Sequence, residues 1–326
     1  MRILVTGGSG FIGTNYIEFL LKNGQAEFIN LSYGPPRNVA HKNFWRKCDL
    51  LDAPKLKKII KDFSPTHVVH LAAKCGLYNS LDVYAANIQG VENLLLALQE
   101  APSVERVIFT SSLLVCRPGY VPNHDTDYKP YTLYGVSKMR GEQIVREYDK
   151  NMPYAWTIIR PISIWGPWCG DPFKAFFKAI AQGWYFHIGS GHCRKTFGYV
   201  ENTVYQIHQL LLAPLEKVDR KTIYVADTPP VDLYDFANEI QKELNTKKIW
   251  HMPLGVAKLF AKAGDVLKAI GWRNVPLTSF RLNNMRTELI YDDLLQPVLE
   301  ICGSLPYDLK RGVKRTIEWM REAGEI

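Results

Sequence analysis

Short apolar runs alternate with amphipathic segments through the first half of the chain. Residues 2–5 form an apolar run that predicts a buried strand. Residues 15–22 follow, with their apolar side chains on one helical stripe, which predicts a helix. This alternation recurs along the chain and predicts an α/β protein with a doubly wound parallel sheet and right-handed crossovers. The further predicted strands are 28–31, 67–71, 104–110 and 155–159, and the further predicted helices are 56–63, 82–99 and 134–148.

The pattern changes after Arg160-Pro161. Residues 165–170 are loop-like and aromatic, and residues 173–182 have the pattern of a helix. Residues 223–226 predict one more strand that returns to the sheet. The remainder is mostly helical, with Pro and Gly breaks, so we predict a second, smaller lobe.

A glycine-rich turn from Thr6 to Gly13 joins the first predicted strand to the first predicted helix. Glycines there permit a tight turn close to a phosphate, and the helix N-terminus offers N–H groups to a pyrophosphate. This placement indicates a dinucleotide site, and the alternative is an ordinary Gly-rich turn. We therefore predict a dinucleotide-binding domain over 1–164, to which the chain returns around 196–227, and a predominantly substrate-binding lobe over 165–326.

The composition is that of a globular protein with a sizeable core. The 326 residues are 47% hydrophobic and 22% charged, with a net charge of +8. A basic balance indicates either a solvated basic surface or attraction of anionic substrates such as nucleotides. No dense Lys/Arg block is present, so nucleic acid is not an expected partner.

The six cysteines are scattered and form no CxxC pair. This usage favours a reducing compartment, which we take to be the cytoplasm, and predicts no metal site. The chain opens with a predicted strand and not with a signal peptide. No apolar run approaches the ~18 residues that a membrane span needs, so no membrane partner is expected.

Tyr134 and Lys138 form a YxxxK pair at the start of a predicted helix. Residues four apart share a helix face, so the ammonium group can approach the phenol and lower its pKa from about 10 toward neutrality. Such a tyrosine can accept or return the proton of a substrate hydroxyl while hydride moves to or from a nicotinamide. The alternative is a Tyr and a Lys on the surface of an amphipathic helix.

The combined motifs resemble the extended short-chain dehydrogenase/reductase family, in particular its NAD(P)-dependent nucleotide-sugar epimerases and reductases. The resemblance covers nearly the whole chain, with the motifs in family order, and it implies a Rossmann-type sheet. The matching segments are Thr6 to Gly13, Asp49-Leu50, His70 to Ala73, Asn87 to Asn93, Ser111-Ser112, Tyr134 with Lys138, Arg160-Pro161, Phe197 to Val200, Gly312, Thr316 and Trp319.

The resemblance implies site residues. Ser112, Tyr134 and Lys138 are the implied catalytic triad, with Ser111 as an alternative to Ser112. Tyr134 and Lys138 also contact the implied cofactor. The other implied cofactor-binding residues are Gly7, Gly10, Phe11, Ile12, Gly13, Ser32, Arg37, Asp49, Leu50, Leu71, Ala72, Ala73, Asn87 and Pro161.

Several of these residues have a structural alternative. Asp49, the implied adenine contact, is otherwise a helix N-cap. Asn87 and Asn93 otherwise bridge backbone groups between a helix and a strand. His70 is expected to be a packed strand residue and not a catalyst.

Ser32 stands where many family members have an acidic residue that holds the ribose 2′-hydroxyl. Without that carboxylate a 2′-phosphate is not repelled, and Ser32 and Arg37 are positioned in the sequence to bind it. We therefore expect NADP to be slightly favoured over NAD. The alternative is that Arg37 is a mobile loop residue and NAD binds.

Leu113 and Leu114 occupy the places of the Asp-Glu pair of the family's dehydratases, so elimination of water is not supported. The leading hypothesis is an epimerase of a nucleotide-diphosphate sugar that works through a transient keto-sugar. The alternatives are an NADPH-dependent reductase of a nucleotide 4-keto-sugar and a non-catalytic NAD(P)-binding sensor. The resemblance also implies three substrate-binding residues, which are Ser163, Lys195 and Arg281.

A homodimer is expected, because the family pairs the helices predicted at 82–99 and 134–148 into a four-helix interface. Leu94, Leu95 and Leu98 either belong to that interface or face the sheet.

Overall fold

The computed structural model describes residues 1–24, 26–272, 275 and 277–326. The strands are β1 Arg2–Thr6, β2 Glu27–Ser32, β3 Trp45–Lys47, β4 His67–His70, β5 Arg106–Thr110, β6 Ala155–Pro161, β7 Ile164–Trp165, β8 His187–Ile188, β9 Arg194–Lys195, β10 Gly198–Tyr199, β11 Lys221–Val225, β12 Val231–Asp232 and β13 His251–Met252. The helices are α1 Phe11–Asn23, α2 Ala53–Phe63, α3 Ala85–Gln99, α4 Leu133–Glu147, α5 Phe173–Ala181, α6 Val200–Leu212, α7 Leu215–Val218, α8 Leu233–Leu244, α9 Leu254–Ala269, α10 Ser279–Arg286, α11 Asp292–Cys302 and α12 Leu309–Glu322.

The chain divides into two compact units. Unit 1 contains residues 1–168, 198–227 and 291–306. Unit 2 contains residues 169–197, 228–290 and 307–326.

Unit 1 is built on a seven-stranded sheet in the order β11-β6-β5-β4-β1-β2-β3. All of its neighbouring strands are parallel. The predicted doubly wound sheet is thereby confirmed. The order reverses at β1, where Thr6 is in register with Leu31 on one side and with His70 on the other. Ligands bind at such a point, outside the carboxyl ends of the strands.

The sheet is buried on both faces, as a parallel sheet with crossover helices requires. Ile3, Leu4 and Val5 of β1 have no exposed surface. The core between the sheet, α2 and α3 includes Leu94, Leu95 and Leu98, which are fully buried within the single chain. Of the two alternatives for these leucines, the structure therefore selects packing against the sheet.

Two elements complete unit 1 at its edges. Strand β11 pairs with β6, which confirms the predicted returning strand. Helix α11 packs on β11 and α6, so a late segment of the chain covers this edge. Strand β3 pairs with β2 at the opposite edge and was not predicted.

Unit 2 is mostly helical, with short two-stranded pieces. Helix α8 packs on α5 and α12, and α9 packs on α10. Among the described residues, no helix has both the length and the apolarity to cross a bilayer.

Candidate active site

The glycine-rich turn after β1 forms a cradle that leaves no room for side chains. Gly7 has a φ of +72°, and a Cβ there would lie 2.5 Å from the Ala72 backbone nitrogen. A Cβ on Gly13 would lie 2.2 Å from the Gly7 carbonyl oxygen. Helix α1 starts at Phe11 behind Gly10, which has no side chain to cap the first N–H groups. These features fit a pyrophosphate at the N-terminus of α1.

A cavity of about 580 Å³ opens at this point of the sheet. It is walled by the loops that follow β1, β2, β3 and β4 and by the start of α3. The predicted cofactor residues in its walls are Gly7, Gly10, Ser32, Asp49, Leu50, Leu71, Ala72 and Ala73. Among the described residues, the predicted cofactor residues that do not line the cavity are Phe11, Ile12, Gly13, Arg37, Asn87, Tyr134, Lys138 and Pro161.

Sequence reasoning missed other wall residues, among them Lys74, Val83 and Ala86. They lie after β4 and at the start of α3. Their position beyond the carboxyl end of a predicted strand was the one available signal.

Ser32 and Arg37 both have partners within the protein. The Ser32 hydroxyl donates to Asn30 Oδ1 at 2.7 Å and accepts from the Ser9 backbone N–H at 3.1 Å. Arg37 Nη1 donates to the Trp168 carbonyl oxygen at 2.7 Å. The two groups on which the NADP preference depended are therefore held by protein atoms, and that preference is not supported.

Asp49 is not the cap of α2. That position belongs to Asp52, which accepts a hydrogen bond from the Lys55 backbone N–H. Asp49 instead accepts from the Leu51 backbone N–H at 3.0 Å, in the cavity wall.

Asn87 and Asn93 have the bridging contacts given as their structural alternative. The Asn87 side chain accepts from the Lys74 backbone N–H at 2.7 Å and donates to the Lys74 carbonyl and to Ser137 Oγ. Asn93 donates to the Leu50 carbonyl at 2.8 Å. Both amides hold cavity loops against α3.

Tyr134 and Lys138 lie in the first two turns of α4. The helix begins at Leu133, because the Thr132 hydroxyl accepts the Gly135 backbone N–H. The Ser112 side chain lies close enough to the Tyr134 phenol to lower its pKa. Ser112 follows β5, and its hydroxyl accepts the Leu114 backbone N–H at 3.1 Å. The structure thus brings Ser112 and Tyr134 together, with Lys138 one turn along the helix.

The pKa of Tyr134 is not lowered as the sequence predicted. Burial raises the pKa of this phenol, the neighbouring Cys75 thiol raises it further, and the Ser112 side chain lowers it. Burial also lowers the pKa of Lys138, against the opposing effects of Cys75 and Glu142. Desolvation is the largest cause of both shifts and opposes the charged form of each group.

Cys75 was not predicted as part of the site. It lies in the loop after β4, where its thiol contacts the Ala73 carbonyl and raises the pKa of Tyr134. Tyr84 holds this loop, since its hydroxyl donates to the Gly76 carbonyl at 2.6 Å and its ring lies 6.1 Å from that of Tyr134. A contact of this kind depends on loop conformation and has no sequence pattern.

A buried ion pair lies one turn beyond Lys138. Arg160 has no exposed surface, and its guanidinium donates to both carboxylate oxygens of Glu142, at 2.9 and 2.7 Å. It also donates to the Tyr224 hydroxyl at 2.7 Å. The Arg160-Pro161 motif therefore ties β6 to α4 and β11, which fixes the helix that carries Tyr134.

His70 and Ser111 lie on a different, very small cavity of about 10 Å³ beside Lys138. His70 Nδ1 is 2.7 Å from Thr6 Oγ1. Burial, with a smaller effect of Lys138, lowers the pKa of His70 to about 3. His70 is thus a neutral packed strand residue, as expected, and Ser111 lies with it on this small cavity.

The three predicted substrate-binding residues fall in both units. Ser163 belongs to unit 1, is exposed and has a φ of +45°. Lys195, in unit 2, is buried and donates to the carbonyls of Asn284 and Thr287, at the end of α10. Arg281 Nη1 donates to the Val275 carbonyl at 2.7 Å.

All six cysteines are free thiols. Within the described ranges, no group of three or more His, Cys, Asp and Glu side chains is arranged to hold a metal ion.

A model of the NAD dependent epimerase/dehydratase family matches residues 3–226, which is more than half of the chain. The chain belongs to this family. The resemblance to extended short-chain dehydrogenases/reductases is thereby confirmed.

Relatives of this family member span its whole length. N-acetyl-alpha-D-glucosaminyl-diphospho-ditrans,octacis-undecaprenol 4-epimerase of Escherichia coli O157:H7 is 26% identical, over 98% of this chain and 95% of its own. UDP-glucuronate 4-epimerase 1 of Arabidopsis thaliana is 27% identical, over 98% of this chain and 76% of its own.

Solved structures share the fold. UDP-glucose 4-epimerase of Thermotoga maritima with UDP-glucose has a TM-score of 0.73 at 19% identity, covering 99% of each chain. UDP-glucuronic acid 4-epimerase of Bacillus cereus, in complex with UDP-glucuronic acid and NAD, has a TM-score of 0.73 at 20% identity. It covers 99% of this chain and 100% of that one.

Proposed function

We propose that the protein is an NAD-dependent 4-epimerase of a sugar carried on a diphosphate, with a nucleoside as the leading carrier. The observation that carries this proposal is the contact of the Tyr134 hydroxyl with Ser112, on a helix whose next turn holds the buried Lys138. Relatives that are named as 4-epimerases support it. A non-catalytic sensor would not need this arrangement.

In the proposed reaction the phenolate of Tyr134 takes the proton of the sugar hydroxyl and later returns it. This role requires the positive charge of a bound, oxidised nicotinamide to offset the burial that raises the pKa of the phenol. Ser112 donates a hydrogen bond to the same sugar oxygen, which orients it toward the phenol. Lys138, in its protonated form, would supply positive charge on the same helix face, where Glu142 opposes the effect of burial on its pKa. When bound, the nicotinamide supplies a reversible acceptor for the hydride of the sugar carbon.

The dinucleotide would be held by Gly7, Gly10 and Gly13 at its pyrophosphate and by Asp49 and Leu50 at its adenosine, as the cavity walls and the glycine cradle suggest. We propose NAD as this dinucleotide, since several solved neighbours contain NAD and Arg37 is engaged by Trp168. If so, Arg37→Ala changes the dissociation constant of NAD less than about threefold, which is under 1 kcal/mol. A tighter NADP complex that Arg37→Ala abolishes would contradict the choice of NAD.

Dehydration and reduction are the neighbouring chemistries of this family. Leu113 and Leu114 follow Ser112 in a short turn, and Leu113 is buried. Neither residue has a carboxylate, so this turn offers no acid or base for the elimination of water. A reductase is not favoured, because the relatives are epimerases by name. The two differ in cofactor use, since an epimerase retains its cofactor and a reductase consumes one equivalent for each product.

The carrier of the diphosphate is a second question. The Arabidopsis relative acts, by its name, on a UDP sugar, whereas the Escherichia coli relative acts on a sugar joined to undecaprenol through a diphosphate. We propose Ser163 and Arg281 as substrate contacts. Lys195 would act by fixing the end of α10, because its ammonium group is already bound there.

The test is a panel of UDP-glucose, UDP-glucuronate, UDP-N-acetylglucosamine and a short polyprenyl-diphosphate N-acetylglucosamine, each followed by product analysis with the released cofactor measured. Conversion to the C4 epimer without net cofactor consumption is the expected result. Stoichiometric cofactor oxidation, or elimination of water, would contradict the proposal.

We further propose a homodimer in a reducing, cytoplasmic compartment. Leu94, Leu95 and Leu98 are unavailable for its interface, but Leu96 of α3 is 45% exposed. The free thiols of all six cysteines are in keeping with such a compartment. A monomer in light scattering at micromolar concentration would contradict the dimer.

A further inference from the structure

Helix α9 of unit 2 has two apolar stripes where a surface helix needs one. Ala257, Ala261 and Gly264 form the buried stripe, which packs against α10 and the residues that precede it. The approach is close, since a Cβ on Gly264 would lie 1.9 Å from the Leu277 carbonyl oxygen. This stripe accounts for the packing of the helix and leaves the second one unexplained.

The second stripe faces solvent. Leu259, Val266 and Ile270, the residue that follows α9, recur at helical spacing and are 70%, 62% and 68% exposed. Phe260 lies beside them and is 56% exposed. Two more large apolar side chains of unit 2, Trp272 and Phe280, are 62% and 72% exposed. Single exposed apolar residues are ordinary, but a continuous stripe on one helix marks an interaction surface.

The same two helices are strongly basic. Helices α9 and α10 contain five basic residues, Lys258, Lys262, Lys268, Arg281 and Arg286, and one acidic residue, Asp265. The Asp265 carboxylate accepts the Ser279 backbone N–H at 3.1 Å, so it binds the first residue of α10. A helix with aromatic and aliphatic residues beside lysines has the composition of one that lies in an anionic membrane interface.

A cavity of about 400 Å³ lies between the two helices at the edge of the apolar stripe. Its walls contain the cationic groups of Lys258, Lys262 and Arg286, and no acidic side chain among the described residues. Leu259 belongs both to this cavity and to the stripe. A lipid phosphate bound in this cavity would therefore lie next to the apolar side chains of the stripe. A phospholipid has the same arrangement, with a phosphate beside its apolar acyl chains.

We propose that the α9–α10 face of unit 2 binds the surface of an anionic phospholipid bilayer. Leu259, Phe260 and Val266 enter the interfacial layer, and Lys258 and Lys262 bind lipid phosphates. The charge of the face selects this occupant over a second copy of the chain, because two such faces would repel each other. The surface binds without spanning the membrane, and the inference does not depend on the sugar that the protein acts on.

The test is co-sedimentation of the full chain, without substrate, with vesicles of phosphatidylcholine containing about one third phosphatidylglycerol. We expect binding to these vesicles, little binding to pure phosphatidylcholine, and release at high salt. Lys258→Glu with Lys262→Glu should weaken the partition at least about tenfold. The matched control is Lys310→Glu with Lys314→Glu, which has the same spacing on α12 and should retain binding.

A second pair of variants isolates the apolar stripe. Leu259→Ser with Phe260→Ser should lose vesicle binding, whereas Leu212→Ser, at an exposed leucine of α6, should keep it. Circular dichroism and turnover of a nucleotide sugar establish that each variant is folded. Equal binding to neutral vesicles, stabilisation by inorganic phosphate without vesicle binding, or a dimer that Leu259→Ser with Phe260→Ser dissociates would each overturn the proposal.

Discussion

The active-site region of unit 1 and the α9–α10 face of unit 2 hold their charged groups in opposite ways. In unit 1, Lys138, Glu142 and Arg160 are almost completely buried, and the Arg160 guanidinium is held by several partners. In unit 2, α9 and α10 leave lysines and large apolar side chains in solvent. Burial of a charge is costly unless it is paired, so it marks a place where geometry is held for chemistry. Exposed lysines beside exposed large apolar side chains mark a surface that binds another molecule or a membrane.

The largest effect is expected at the phenol of unit 1. Tyr134→Phe should lower turnover by ~10²–10⁴-fold or more, because it removes the proposed proton acceptor. Binding of the dinucleotide should be nearly unchanged in a titration. The matched control is Tyr205→Phe, whose hydroxyl donates to the Cys302 carbonyl away from the site. Turnover close to that of the wild type in Tyr134→Phe would remove this residue from the mechanism.

The ion pairs of the two units should differ sharply in denaturant unfolding. Glu142→Gln leaves the Arg160 guanidinium buried without its counter-charge, which should cost about 3–5 kcal/mol. Glu288→Gln removes the partner of Arg194 in an exposed pair of unit 2 and should have no measurable effect. Equal losses in the two variants would contradict the comparison.

Two glycines, one in each unit, differ in the space that surrounds them. Gly13→Ala places a methyl group against the Gly7 carbonyl and should destabilise the protein by about 1–3 kcal/mol, with weaker dinucleotide binding. Gly255→Ala on α9 meets nothing within 4 Å and should be neutral or stabilising by up to about 1 kcal/mol. Thermal unfolding of both variants, with and without NAD, distinguishes a loss of packing from a loss of the ligand alone.

The smallest effect concerns the response to acid. Burial lowers the pKa of His70 to about 3, against about 6.5 in the unfolded chain, so the unfolded state binds one more proton between these values. Stability should therefore fall as the pH drops below about 6.5, by about 2 kcal/mol at pH 5 from this group. His70→Asn should reduce the acid sensitivity by that amount, and His124→Asn, at an exposed histidine, should not. An unchanged profile in His70→Asn would mean that the group is not neutral in the folded protein.

The strands and helices of unit 1 were predictable because apolar runs and helical stripes of sufficient length decide them. Strand β3, from Trp45 to Lys47, was missed because it is three residues long, and two of its side chains are exposed at an edge. The sequence of α11 has a helical pattern, but this pattern does not predict that the helix packs on β11.

The site was predictable where local spacing determines it. The Tyr134 and Lys138 pair and the glycine turn follow from residues within one helix or one loop. The contact of Arg37 with Trp168 joins residues 131 positions apart, and that of Arg160 with Tyr224 joins residues 64 apart. The pKa of Tyr134 was misjudged for the same reason, since its burial and its contact with Cys75 come from the folded chain.

In the function proposed above, Tyr134 of unit 1 serves an oxidation of the sugar that the protein itself reverses. This role is tested most directly with a UDP-hexose that carries deuterium at C4, converted by the purified protein with a catalytic amount of NAD. We predict that the C4 epimer forms with its deuterium retained, that no cofactor is consumed, and that Tyr134→Phe forms the product at least ~10²-fold more slowly. Loss of deuterium from the product, or one equivalent of cofactor used for each turnover, would contradict the account.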